Sequence, residues 1–247
     1  MRLNRFLASA GLGSRRSCEG LITEGKVTIN GRVCTVLATD VSPSDHVKVG
    51  SKLLRVDPPT YVALHKPRGY VTTLDDEFGR RSIDDLLPRN WPRLFHVGRL
   101  DKDSEGLLLL TNDGDLSQQL THPKHKIEKE YEVLLDKPFN SDLVDKLRKG
   151  IVLEQGRGKI ERLQIVKPNH VRVVLAQGLK RQIRLMFAAI GYEVLRLCRT
   201  RVGPIRLGEL PVGGYRLLTA RELHLLQEML EQKPIIERLH RSAGEPV

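Results

Sequence analysis

No apolar run in the chain approaches the roughly 20 residues that a membrane-spanning helix needs. The opening residues Met1-Arg2-Leu3-Asn4-Arg5-Phe6 lack the continuous apolar core of a signal peptide. The three cysteines, Cys18, Cys34 and Cys198, are odd in number and far apart, which encodes neither a disulfide framework nor a CxxC metal site. A reducing cytoplasm is the consistent setting. Also missing are an HExxH helix, a cluster of Cys and His, and a dinucleotide fingerprint. The turn Gln155-Gly156-Arg157-Gly158 is too weak for a phosphate loop, because no Lys-Ser/Thr follows it. The eight histidines are scattered, and there is no internal repeat. The sequence therefore encodes no recognisable site for a metal or an organic cofactor.

Positive charge is what the chain has in excess. Its 247 residues carry a formal net charge of +11, with a pI near 9.8. That balance favours a polyanionic partner, most simply nucleic acid, with an anionic membrane surface as the other candidate. A hydrophobic content of 40% supports a packed core and argues against global disorder. The length suits one large domain, or a large one with a small one.

The small one reads as residues 1–57. Leu3, Phe6, Leu7 and Ala10 recur at helical spacing, and Gly11-Leu12-Gly13 breaks the run. Ser14 can cap a second helix with Cys18, Leu21 and Ile22 on its apolar face, ended by Gly25. Asn30-Gly31 between two short β-prone runs predicts a two-residue hairpin. Asp57-Pro58-Pro59 is a stiff linker, set at 58–60, and the second domain covers 61–247. Through Asp57, nine Lys or Arg face five Asp or Glu, a net of +4, so the small module has nearly twice the charge per residue of the rest. Arg2 and Arg5 share a predicted helix face. Arg15 and Arg16 fall in a first helical turn, where the helix dipole disfavours cations unless phosphates neutralise them. A solvated polar face is the alternative.

In the larger domain the informative stretch is Val97-Gly98-Arg99-Leu100-Asp101-Lys102-Asp103-Ser104-Glu105-Gly106, followed by Leu107 to Leu110 and Thr111-Asn112-Asp113-Gly114. Leu107 to Leu110 reads as a strand buried on both faces. A carboxylate set beside such a strand can be held rigidly and partly dry, which suits a nucleophile or a base. The plainer reading is acids that cap a turn and face water. A calcium loop fails, because Asn112 stands where the twelfth-position Glu belongs and leucines fill the loop.

Around this stretch, Tyr61 to Lys66 predicts a core strand and Val71 to Leu74 another. Leu116 to Leu120 predicts a short helix, Glu128 to Val133 a strand, Asn140 to Gly150 a capped helix, and Val171 to Leu175 a strand. Gln177 to Arg184 leads into a helix with Ile183, Phe187 and Ile190 on one face and Arg181 and Arg184 on another. From Arg172 to Arg206, eight Lys or Arg face a single acid, Glu193. Arg221 to Gln232 predicts a last helix, with a loose tail after Arg238.

The run Gly98-Arg99-Leu100-Asp101, then Gly106, the leucines and Thr111-Asn112-Asp113-Gly114, resembles the catalytic motif of the RsuA/RluB family of ribosomal-RNA pseudouridine synthases. Lys66-Pro67-x-Gly69, Lys129-Glu130-Tyr131 and Gln182-Ile183-Arg184 match further motifs of that family in order. The first segment resembles an S4 RNA-binding domain. The resemblance implies an α+β protein: an S4-type helical and hairpin domain, then a domain with a mixed, mainly antiparallel sheet, flanking helices and a central cleft. It implies Asp101 as nucleophile, Tyr131 as the ring that stacks on the target base, and Arg184 as the partner of the Asp101 carboxylate. RNA contacts are expected from Arg99, Lys66, Lys180, Arg181, Arg2, Arg5, Arg15 and Arg16. The implied reaction needs no cofactor. Ribosomal RNA is the expected partner of a cytoplasmic monomer, with 23S favoured over 16S. A non-catalytic RNA-binding assembly factor and a two-carboxylate or metal hydrolase are the rival readings.

Overall fold

The computed structural model describes residues 1–74 and 76–242, with side chains of the last helix followed to Glu231. Contacts divide the chain into two units: Met1–Thr60 with Arg89–Leu94, and Tyr61–Pro88 with Phe95 onward.

In the first unit, helices α1 (Leu3–Ser9) and α2 (Arg15–Thr23) form where the apolar spacing requires them. Leu3, Leu7, Cys18 and Ile22 point into one small core with Val27, Val41 and Val47. Ser14 caps α2 by accepting from the Ser17 N–H at 3.1 Å. Strands β1 (Val27–Ile29) and β2 (Arg32–Val33) are joined by Asn30 and Gly31 at φ 51° and 82°, the left-handed pair that a two-residue hairpin needs. A second hairpin, β3 (Val47–Val49) and β4 (Lys52–Leu53), completes a sheet in the order β2-β1-β3-β4. Its strands are too short to be expected from alternation alone.

The second unit begins with β5 (Tyr61–Lys66), β6 (Phe95–Val97) and β7 (Glu105–Thr111). Asp113 then caps α3 (Gly114–Thr121) through Oδ1, which accepts from Asp115 N and Leu116 N. There follow β8 (Lys129–Leu135), α4 (Val144–Lys149), β9 (Ile151–Leu153), β10 (Gly156–Gly158), β11 (Arg162–Lys167) and β12 (His170–Leu175). The last elements are α5 (Gln182–Ala188), β13 (Val194–Val202), β14 (Ile205–Arg206), β15 (Tyr215–Leu217) and α6 (Ala220–Ser242).

The main sheet runs β11-β12-β8-β13-β7-β5-β15, with β14 on β13 and β6 on β7. Its pairings are antiparallel except β13 with β7, so the sheet is mixed. Every residue of β7 is buried, as its leucine run requires. On one side Leu107, Leu109 and Val202 pack with Leu226 and Leu230 of α6. Phe139 stacks edge-on with Phe187 of α5 at 5.9 Å and lies 5.5 Å from the Tyr192 ring.

Three sequence expectations need correction. Val71 to Leu74 forms no strand. Val71 makes one isolated bridge to Ser82, so the segment closes the neck of a loop. The helix expected to carry Arg181 begins at Gln182, and Arg181 precedes it in the left-handed region at φ 54°. The last helix passes Arg238 and reaches Ser242; the rest of the expected loose tail lies outside the described residues.

The parallel contact between β7 and β13 rests on Gly106, at φ +107°. A Cβ there would stand 2.3 Å from the Arg199 carbonyl oxygen and 2.5 Å from its nitrogen. Both are backbone atoms in the sheet interior and cannot swing aside. Gly106→Ala is expected to cost about 3 kcal/mol or more through overpacking and backbone strain, lowering Tm by roughly 6–12 °C. Thermal denaturation checks this, and an unchanged Tm would show that the two strands have room to separate.

Candidate active site

The turn from Gly98 to Ser104 links β6 to β7 and carries Asp101. Lys66, the last residue of β5, lies under that turn with no exposed surface. Its Nζ donates to the carbonyls of Pro67 at 3.0 Å, Asp101 at 3.1 Å and Ser104 at 2.7 Å. Three N–H groups meet three acceptors, which satisfies an ammonium in the absence of water. Thr72 secures the turn from the side: its Oγ1 donates to the Leu100 carbonyl at 2.7 Å and accepts from the Leu100 N–H at 3.2 Å. Gly69 N donates to the Lys102 carbonyl at 2.8 Å. The Asp101 backbone is thus held from three directions, while Asp101 itself stays half-buried and Arg99 exposed.

Strand register brings the other groups to the same end of the sheet. Lys66 pairs with Gly106, Gly106 with Arg199, and Arg199 with Tyr131, a row across β5, β7, β13 and β8. Tyr131 is 9% exposed. Arg199 is 2% exposed, with Nε donating to the Leu107 carbonyl at 2.7 Å and Nη1 to the Arg99 carbonyl at 3.5 Å. Its Nη2 is buried without a hydrogen-bond partner, as is Nε of Arg184. Arg184 on α5 donates from Nη1 to the Val194 carbonyl at 2.7 Å and from Nη2 to the Asp103 carbonyl at 3.1 Å. Arg181 reaches the Asp103 carboxylate at 3.6 Å.

These positions revise two expectations. Lys66 cannot touch RNA as a surface cation; it positions the turn from beneath. Arg184 makes no direct ion pair with Asp101; its Nη1 and Nη2 donate instead to the Val194 and Asp103 carbonyls. The two interact as charges across space. Burial, then Arg181, lowers the Arg184 pKa, while Asp103 and Asp101 work to raise it. Burial also brings the Lys66 ammonium down to about 8, with Arg199 adding to the fall and Asp101, Asp103 and Glu105 opposing it. Arg199 was not expected from the sequence; the only signal was its place in a basic run.

Lys180 and Arg181 are exposed just before α5. In the first unit, Arg15 and Arg16 are exposed at the start of α2, and Arg5 is half-buried. Arg2 sits at the N-cap of α1, where it binds the Ala38 carbonyl and pairs with Asp40 at 3.1 Å. Both partners of that ion pair are solvent-exposed.

Two local features lie apart from this chemistry. A cavity of about 260 Å³, lined by Tyr61, Asp113, Gln119, Leu223 and Gln227 among others, sits at the opposite end of β5 and β7 from Asp101. Among the described residues, no group of three or more His, Cys, Asp or Glu converges to hold a metal ion. A half-buried carboxylate on a fixed turn, near two guanidinium groups and over a buried ammonium, is suited to act as a nucleophile or a base.

Residues 60–189 match the family model described as RNA pseudouridylate synthase, and residues 1–47 match the S4 domain. The chain is 38% identical over 236 residues to ribosomal large subunit pseudouridine synthase B of Bacillus subtilis, covering 93% of this chain and 97% of that protein. It is 36% identical over 252 residues to the dual-specificity RNA pseudouridine synthase RluF of Escherichia coli, covering 99% and 86%. A crystal structure of a pseudouridylate synthase superposes with a TM-score of 0.67 at 32% identity, covering 92% of this chain and 99% of that one.

The depressed Lys66 pKa has a measurable sign. Between about pH 8 and the usual 10.5, the unfolded chain binds a proton at Lys66 that the folded chain does not, so rising pH favours the folded state. Relative to Lys66→Met, the wild type is expected to gain up to about 3 kcal/mol of stability between pH 7 and 10.5. Urea denaturation of both proteins across that range measures it. A pH-independent difference between them would mean that the ammonium is not depressed.

Proposed function

The chain belongs to the RNA pseudouridylate synthase family, and on that premise we propose that it converts a uridine of large-subunit ribosomal RNA into pseudouridine. The observation that best supports the reading is the convergence on the Asp101 turn: Lys66 from below, the Arg184 and Arg199 guanidinium groups onto its carbonyls, and Tyr131 in the adjoining row. The reaction breaks the bond between uracil N1 and ribose C1′, turns the base and joins C5 to C1′. The proton lost from C5 is balanced by one gained at N1, so composition is unchanged and no cofactor is consumed.

In this reading Asp101 is the nucleophile. Arg184 and Arg199 hold the backbone on either side of it through the Asp103 and Arg99 carbonyls. The uridine leaves its stack, and the Tyr131 ring offsets part of that cost. The Tyr131 hydroxyl is the candidate to carry the C5 proton. Arg99, exposed on the same turn, meets a phosphate or fills the gap left by the extruded base. Arg15 and Arg16 of the S4 module bind the RNA backbone, with Lys180 and Arg181 doing so beside the site. The enzyme acts as a monomer in the cytoplasm, where ribosomal RNA matures.

Asp101→Asn is expected to keep RNA affinity and to lose pseudouridine formation on 23S rRNA transcripts by on the order of 10³-fold or more. Undiminished modification would remove Asp101 from its role. Cleaved RNA in place of isomerised RNA would support a hydrolase. Replacing Arg15 and Arg16 with Ala should weaken binding and flatten its salt dependence by up to about two phosphate contacts. Filter binding across a salt series measures this; an unaltered slope would take both residues off the RNA.

A further inference from the structure

We propose that the loop from Thr72 to Arg81 offers the Phe78 ring as a stacking platform for an unpaired base of the substrate RNA, a role that rests on the RNA-modifying function above. Of the five phenylalanines, Phe78 alone is exposed, at 76%. Its exposure is built. The Asp76 carboxylate accepts from Phe78 N at 3.2 Å, Arg80 N at 2.6 Å, Arg80 Nε at 2.9 Å and Arg80 Nη2 at 2.6 Å. Those bonds lower the Asp76 pKa and fold the loop tip around one anchor. The Arg80 guanidinium lies over the Phe78 ring, 4.8 Å from its centroid, so one face is backed by a cation. Burying a large apolar ring elsewhere would stabilise the fold, yet the tip holds this one out in water.

The loop neck ties this platform to the candidate active site. Val71 N donates to the Arg81 carbonyl and Ile83 N to the Val71 carbonyl. Thr72, the first loop residue, makes both hydrogen bonds to Leu100, the residue before Asp101. Charge decides what the loop takes from RNA. Between Arg68 and Arg81 the sequence carries Arg68, Arg80 and Arg81 against Asp75, Asp76 and Glu77. A balanced loop gains little from phosphates, whereas an aromatic face can take any base. A flipped uridine leaves neighbours with lost stacking, and a rigid ring beside the site can restore it.

The test uses the full-length protein and an rRNA fragment that it modifies, with Phe78→Ala, Phe78→Leu and Phe78→Trp. Base stacking is worth roughly a tenfold or larger change in binding. Ala and Leu are therefore expected to raise KM for RNA about tenfold or more, and Trp to keep it near the wild-type value. The turnover of bound RNA and the salt slope of binding should both stay unchanged. An unchanged KM for Phe78→Ala overturns the proposal. So does full rescue by Leu, which would indicate an apolar protein contact, or a reduced salt slope, which would indicate phosphate binding. Should the wild type make no pseudouridine, the catalytic reading fails instead. Direct RNA titration of the same variants then still judges the loop.

Discussion

A single buried ammonium sets the geometry of the candidate site. Taking a lysine out of water costs several kcal/mol even after relaxation. Lys66 offsets that cost with three carbonyl acceptors and the nearby carboxylates of Asp101, Asp103 and Glu105. The acceptors lie on different segments, so the same bonds that solvate the charge pull the Asp101 turn onto the end of β5. A guanidinium would not substitute, because its planar fork cannot direct three donors around a point. The turn can therefore be irregular and still rigid, leaving the Asp101 side chain as the part free to face a substrate.

The second constraint is the close approach of β7 and β13. Gly106 lets the backbones meet, and that brings Arg199 beneath the turn, where its guanidinium reaches the Leu107 and Arg99 carbonyls. Arg184 arrives independently from α5 and grips Asp103. Two arginines from late in the sequence thus bond to main-chain atoms around Asp101. Their charges act on the site while their positions are fixed by carbonyls, so the electrostatics need not be rebuilt when a substrate enters.

Much of this was legible in the residues. Ser14, Asn30-Gly31 and the leucine run each name a local structure with a local cause, and they form α2, the first hairpin and β7. Asp101 was visible as a carboxylate between a turn and a buried strand, and the family resemblance gave it a role to test. What failed was long-range. A lysine at a strand end is usually wet, and only the packing of the 98–104 turn over β5 buries Lys66. Val194 to Val202 contains three arginines, which hid a central strand from any apolar pattern. The helix holding Arg184 starts one residue later than expected because Arg181 takes a left-handed conformation. In each case the deciding partner is a segment remote in sequence.

That remoteness has a price in time. Leu107 and Arg199 are 92 positions apart, yet β13 is the neighbour that pairs the start of β7 at Glu105 and Gly106, while β6 pairs its far end at Leu109 to Thr111. At roughly 5–20 residues per second, a nascent chain waits about 5–18 seconds between making the two. Throughout that interval the start of the leucine strand, beyond the reach of β6, keeps backbone groups unpaired on one side, a template for pairing with other chains. Newly made copies of this protein should be most prone to clumping, and most in need of a chaperone, between synthesis of the leucine strand and arrival of the arginine-bearing one.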